Sequence, residues 1–138
     1  MNICVVCIAN YCRSPVAEVI LKNRFEDYKI SSAGINPLYD GGMDLRSRNF
    51  LINNKYKPII HTPNKINIKK ISESDIVFSM DFMVLAELNR LFPKYKNKFK
   101  LFSYQFENID LSDPYKLDNL NYLKIMKNIE YIANKIEI

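Results

Sequence analysis

The chain has 138 residues, a formal net charge of +5 and a pI near 9.0, with 48% apolar and 25% charged residues. That length suits one domain, 1–138, with enough chain to bury a core, and the composition is that of an ordinary globular protein, not a disordered or fibrous one. No stretch has the length of a membrane span and the opening apolar run is too short for a secretory signal, so a cytoplasmic address without membrane insertion is expected.

In chain order, "NICVV" is a β-branched apolar run that reads as a buried strand. From Ser14 the pattern turns helical: Pro15 suits a first helical turn, and Val16, Ile20 and Leu21 recur at helix spacing. "YKISSAGI" is a second strand ending at Gly34, and "NPLYDGG" is a loop marked by Pro37, Gly41 and Gly42. "MDLRSRNFLINN" reads as a helix, and "KPIIHTPNK" is interrupted twice by proline and carries the lone histidine, His61. "SDIVFSM" is a third strand, and "DFMVLAELNRLF" a helix with Asp81 as N-cap and Pro93 as stop. "KFKLFS" is a fourth strand and "ENIDLSDPYKLD" a turn-rich acidic loop. The last helix, "NLNYLKIMKNIEYIANKI", has its apolar stripe at Leu123, Ile125 or Met126, Ile129, Ile132 and Ile136.

Strands alternating with helices predict an α/β fold: a three-layer sandwich whose four-stranded parallel sheet is flanked by helices, with a phosphate loop after strand 1. In such sheets ligands bind at the carboxyl ends of the strands. The positive charge is scattered, and "KINIKK" reads as an amphipathic segment with a solvated face, so no nucleic-acid partner is expected. An acidic ligand or phosphorylated partner suits the same charge.

The three cysteines, Cys4, Cys7 and Cys12, all fall in the first twelve residues, which rules out a disulfide scaffold. Cys4 and Cys7 form a lone C-x-x-C, and with one histidine in the chain a zinc site would be short of ligands. Cys7 instead opens a short loop between a strand and a helix N-terminus, where backbone N–H groups and the helix dipole favour an oxyanion and a thiolate. Arg13 can present a planar fork to two phosphate oxygens, Ser14 can donate to the thiolate or cap the helix, and Asn10 tolerates left-handed backbone in mid-loop. Attack on phosphorus also needs a proton donor. His61 is one candidate, and Asp113, in a turn stiffened by Pro114, is the better one.

"VCIANYCRSPVAE" resembles the signature of the low-molecular-weight protein-tyrosine phosphatases, and "DPY" resembles their general-acid loop. "ISSAG", the histidine in "IIHTPNK" and "DIVFSMD" fall in the family's order, and the short chain is similar to the bacterial branch. The resemblance implies that Cys7 is a nucleophile forming a phosphocysteine intermediate without metal or cofactor. It also implies that Arg13 clamps the phosphoryl group and that Asp113 protonates the leaving oxygen and then activates water. The phosphate would rest on loop residues Ile8, Ala9, Asn10, Tyr11, Cys12, Arg13 and Ser14. Asn10, Ser32 and His61 match residues that hold the loop rigid, Cys12 matches a redox partner of the nucleophile, and Cys4 is left as a buried strand residue. The pocket wall would include Tyr11, Leu38 or Tyr39, and Tyr115. The implied partner is a phosphotyrosine protein, with the bacterial tyrosine kinases of capsule and exopolysaccharide export as the branch's common substrates.

The chain departs from the family pattern at four places: Ala9 replaces a usual glycine, Tyr11 a small aliphatic residue, "HTPN" the usual His-x-Ala-Arg, and Lys116 a second tyrosine of animal members. Ala9 is compatible if Asn10 takes the left-handed turn. A threonine at the Tyr11 position marks arginine phosphatases, which keeps a phosphoarginine phosphatase as an alternative. A phosphate-binding module without turnover is another. Arsenate reduction would need further cysteines downstream, and the sequence has none after Cys12.

Overall fold

The computed structural model describes residues 1–38, 41–107 and 109–138. Its elements run β1 (Asn2–Cys7), α1 (Ser14–Arg24), β2 (Lys29–Gly34), α2 (Leu45–Asn53), α3 (Ile68–Glu73), β3 (Ile76–Ser79), α4 (Phe82–Leu91), a 3-10 helix (Pro93–Lys98), β4 (Phe99–Leu101) and α5 (Asn119–Lys135). The four strands form one parallel sheet in the order β2-β1-β3-β4. The expected three-layer architecture is present.

Side chains alternate across β1 and so feed two cores. Ile3, Val5 and Cys7 face a layer built with Val16 and Ile20 of α1, Phe50 of α2, and Met126, Ile129 and Ile132 of α5. Cys4 and Val6 face the opposite layer, with Ile71 of α3 and Val84 and Leu88 of α4. Cys4 is fully buried, as a strand residue should be, and burial pushes its thiol up to about 11. Because β2 and β3 both run parallel to β1, one on each side of it, the carboxyl ends of the three strands meet at one end of the sheet.

Of the two roles open to Ser14 the structure realises one, and the α5 stripe needs correction. Ser14 does not cap α1: the N-cap is Arg13, without a side-chain cap bond, because the Ser14 hydroxyl is engaged elsewhere. The α5 stripe runs through Tyr122, not Leu123, which is 38% exposed. Tyr122 and Ile129 lie on the same face as Met126, two turns of the same stripe, and Leu123 is rotated out of it. Pro93 ends α4 as expected and also opens the 3-10 helix, since a proline at a helix start loses no hydrogen bond there. The short helix α3 inside the Lys-rich segment was not anticipated; Asn67 caps it and Ile66 and Ile71 anchor it. Asp81 caps α4 as expected, accepting from the Val84 amide at 2.8 Å.

Candidate active site

Between β1 and α1 the loop 7–14 curls back on the Cys7 sulfur. The Asn10 amide points at Cys7 Sγ from 3.2 Å, and Ser14 Oγ lies 3.0 Å from it. The tight curl needs left-handed backbone at one residue, and Asn10 supplies it at φ 53°, leaving Ala9 in ordinary geometry. Gly34, at the end of β2, lies directly beneath. A Cβ there would stand 2.8 Å from the Ile8 carbonyl oxygen and 2.9 Å from the Asn10 amide nitrogen. The Ile35 and Asn36 amides then bond to the carbonyls of Cys7 and Ile8 at 3.0 and 2.8 Å.

Behind the loop runs a chain of side-chain hydrogen bonds whose direction is set by its far end. Glu18, buried on α1, accepts from the Ser32 hydroxyl at 2.5 Å and from Lys22 at 2.6 Å. With its proton committed to Glu18, Ser32 accepts from Asn10 Nδ2 at 2.9 Å, and the same amide group donates to Ser14 Oγ at 2.8 Å. The Ser14 hydroxyl hydrogen is therefore free to point at Cys7, the bond that a thiolate requires. Asn10 Oδ1 faces the other way and accepts from the backbone and side-chain nitrogens of Asn64, each at 3.1 Å. His61 Nε2 lies 2.7 Å from the Asn10 carbonyl oxygen. Asn10, Ser32 and His61 thus surround the loop from behind, and His61 does not line the cavity in front of it.

Arg13 is 1% exposed, and its guanidinium donates to Asp81 at 2.5 Å and to the Leu111 carbonyl at 2.8 Å. Burial works to lower its pKa, but the charges of Cys7 and Asp81 outweigh burial and raise it, so the guanidinium stays charged. Cys12, within the loop, is buried, its thiol 3.9 Å from Asp44 Oδ2, and burial pushes it up to about 12. The Cys12 carbonyl accepts from the Ser47 hydroxyl at 2.7 Å, and Ser47 lies 2.5 Å from the Tyr122 hydroxyl.

In front of the loop lies a cavity of about 210 Å³ lined by Cys7, Ile8, Ala9, Tyr11, Cys12, Arg13, Leu38, Asp113, Tyr115 and Lys116. Asp113 comes from the acidic loop, where its Oδ1 accepts from the Tyr115 amide at 3.1 Å and fixes the turn. Tyr11 and Tyr115 meet edge to face, ring centroids 6.2 Å apart and planes at 66°. The structure therefore brings Cys7, Arg13 and Asp113 to one cavity, with Tyr11, Leu38 and Tyr115 as its walls. Tyr39 lies outside the described residues. A hollow of about 500 Å³ at the amino ends of the strands, bordered by Asn2, Lys29 and Lys70, is remote from this cysteine.

Several functional neighbours were not recognised in the sequence: Gly34, Glu18, Asn64, Asp44, Arg46 and the second role of Asp81. Asp81 had a signal, being a polar residue at a strand's carboxyl end in an α/β sheet. Glu18 also had one, as a carboxylate on the otherwise buried stretch of α1. The remainder depend on contacts between distant segments.

Comparison with known proteins agrees with this geometry. Residues 2–137 match the family described as low molecular weight phosphotyrosine protein phosphatase. The low molecular weight protein-tyrosine-phosphatase Ptp of Acinetobacter johnsonii is 32% identical over 118 residues, covering 85% of this chain and 82% of that protein. The tyrosine phosphatase Wzb from Escherichia coli K30, crystallised in complex with sulphate, superposes with a TM-score of 0.91 at 25% identity, covering 96% of this chain and 93% of that one. The YwlE arginine phosphatase from Geobacillus stearothermophilus superposes with a TM-score of 0.86 at 21% identity over 96% of this chain and 88% of that one, a likeness of fold alone. Since the match spans nearly every residue, the chain belongs to the low molecular weight phosphotyrosine protein phosphatase family.

Proposed function

We propose that the chain hydrolyses phosphotyrosine on proteins through a phosphocysteine intermediate, with Cys7 as nucleophile, Arg13 as phosphoryl clamp and Asp113 as general acid and base. The observation that carries this reading is the meeting of those three residues in the lining of one cavity of about 210 Å³. Cys7 Sγ attacks phosphorus as the bond to the tyrosine oxygen breaks, and the Asp113 carboxyl gives that oxygen its proton. The Asp113 carboxylate then takes a proton from water, which attacks the phosphocysteine; the S–P bond breaks, releasing phosphate and the Cys7 thiolate. The loop amides and Arg13 supply the positive charge for the equatorial oxygens, so the chemistry requires no metal. Ser14 steadies the thiolate in both steps.

Cys12 borders the same cavity as Cys7, which supports its reading as the redox partner of the nucleophile. The partner suggested by the family resemblance is a bacterial tyrosine kinase of capsule or exopolysaccharide export. The aromatic pair Tyr11 and Tyr115 favours a flat aryl ester over phosphoarginine, because stacked and edge contacts suit a phenyl ring. The test is turnover of matched phosphotyrosine and phosphoarginine peptides in the presence of a chelator. The expected result is hydrolysis of the tyrosine ester only, abolished in Cys7→Ser. Preference for phosphoarginine would replace the substrate, and phosphate binding with no hydrolysis of either would make the chain a binding module.

A further inference from the structure

We propose that Arg46 is a positioning residue that holds the acid-bearing loop, residues 113–117, in register with the phosphate loop; the inference rests on the phosphatase reading above. Arg46 lies in the first turn of α2 and is absent from the cavity lining, so it does not act on the phosphate itself. Its guanidinium forks onto the carboxylate of Asp44, Nε to Oδ1 at 3.1 Å and Nη2 to Oδ2 at 3.0 Å. The remaining donors reach across to the acid loop: Nη2 to the Tyr115 carbonyl at 2.9 Å and Nη1 to the Leu117 carbonyl at 3.1 Å. The group also lies over the Tyr122 ring of α5, 3.9 Å from its centroid.

Asp44 connects the same assembly to the phosphate loop. Its amide donates to the Tyr11 carbonyl at 2.9 Å, and its Oδ2 faces the Cys12 thiol at 3.9 Å. One Asp–Arg pair therefore bridges Tyr11 and Cys12 on one side to Tyr115 and Leu117 on the other. The acid loop's internal bonds, Tyr115 amide to Asp113 and Leu117 amide to the Pro114 carbonyl, determine its shape but not its place over Cys7. Place is what general acid catalysis needs, since proton transfer fails beyond hydrogen-bond reach. Lysine could not replace the arrangement: four acceptors at fixed angles require a planar fork. The hydrogen bond to Asp44 also raises the pKa of Arg46, so the tether remains charged throughout the range in which a carboxylic acid titrates.

The experiment compares Arg46→Ala and Arg46→Lys with wild type on two aryl phosphates. Phenyl phosphate has a leaving group that needs a proton, and dinitrophenyl phosphate has one that does not. For Arg46→Ala, kcat/KM, which reports formation of the phosphocysteine and not its hydrolysis, should fall about 10- to 100-fold on phenyl phosphate and change by less than about threefold on dinitrophenyl phosphate. Inhibition by inorganic phosphate should stay as in wild type, and Arg46→Lys should recover only part of the loss. Amide hydrogen exchange at Tyr115, Lys116 and Leu117 should accelerate in the alanine variant, a measurement independent of turnover. Equal losses of kcat/KM on both esters, or unchanged exchange at those amides, would overturn the proposal. If wild type hydrolyses neither ester the phosphatase reading falls, and the exchange rates alone then decide whether Arg46 is the tether.

Discussion

Gly34 passes beneath Asn10 so closely that a methyl group on Gly34 would lie 2.9 Å from the Asn10 amide nitrogen. All three of the nearest atoms around that position are backbone atoms of the phosphate loop, which have no rotamer with which to yield. The end of β2 is thus a floor for the loop, and the loop's curvature is set from below as well as by its own dihedral angles.

Gly34→Ala should therefore displace the Asn10 amide from Cys7. The expected cost is about 1–3 kcal/mol of stability from overpacking. Turnover should drop more than stability accounts for, by at least about tenfold, because oriented donors are lost. Denaturant unfolding and aryl phosphate kinetics on the same preparation check both; wild-type kinetics in the variant would show that the loop tolerates the shift.

Asp113→Asn keeps the oxygen that accepts from the Tyr115 amide and so preserves the turn. It removes both the proton for the leaving oxygen and the base that activates water. For phosphotyrosine, kcat should fall about 10²- to 10⁴-fold with phosphate inhibition unchanged. A variant with undiminished kcat would assign the acid to another residue.

Asp81 accepts from Arg13 at 2.5 Å and also caps α4 through the Val84 amide. Asp81→Asn retains a cap but not the charge that steadies a 1% exposed guanidinium. Phosphate affinity should weaken by about tenfold, one well-placed charged hydrogen bond's worth, and thermal unfolding should come a few degrees earlier. Isothermal titration with inorganic phosphate reads the first and calorimetry the second; an affinity equal to wild type would mean that Leu111 alone suffices to aim Arg13.

Burial raises the Cys4 thiol to about 11 and the Cys12 thiol to about 12 from an ordinary 9.0. The folded state therefore prefers both protonated. That contribution to stability is intact below pH 9 and is lost as the pH climbs through 11 and 12. The denaturant midpoint should decline from pH 8 to pH 10.5, and Cys12→Ala should show a shallower decline. The same slope in the variant would place the alkaline sensitivity elsewhere.

The alternation of apolar strands with helical segments was legible along most of the chain, because period-2 and period-3.6 patterns are local properties, while the six residues of α3 are too few to show a helical period. The strand–loop–helix setting of Cys7, Arg13 and Ser14 was legible for the same reason, as was the left-handed turn at Asn10. Tyr122 escaped notice because a polar hydroxyl masks a core position. Its partner Ser47 is 75 residues away in sequence, and the 2.5 Å contact that pays for burying the hydroxyl becomes visible only in three dimensions.

What the sequence by itself determined is the inventory of chemistry: a cysteine and an arginine at the two ends of one short loop, an aspartate stiffened by a proline, and the pattern of elements that brings strand ends to one edge. What only the tertiary structure decided is their mutual aim. Glu18 orders the bonds that leave the Ser14 hydroxyl directed at Cys7, Asp81 steadies Arg13, and Arg46 ties the Asp113 loop to the phosphate loop. Each of these is a directional contact of a few ångströms between groups 14 to 69 residues apart or linked through such pairs. Hydrogen-bond direction and ion-pair geometry depend on folded positions, and no local pattern of residue types encodes them.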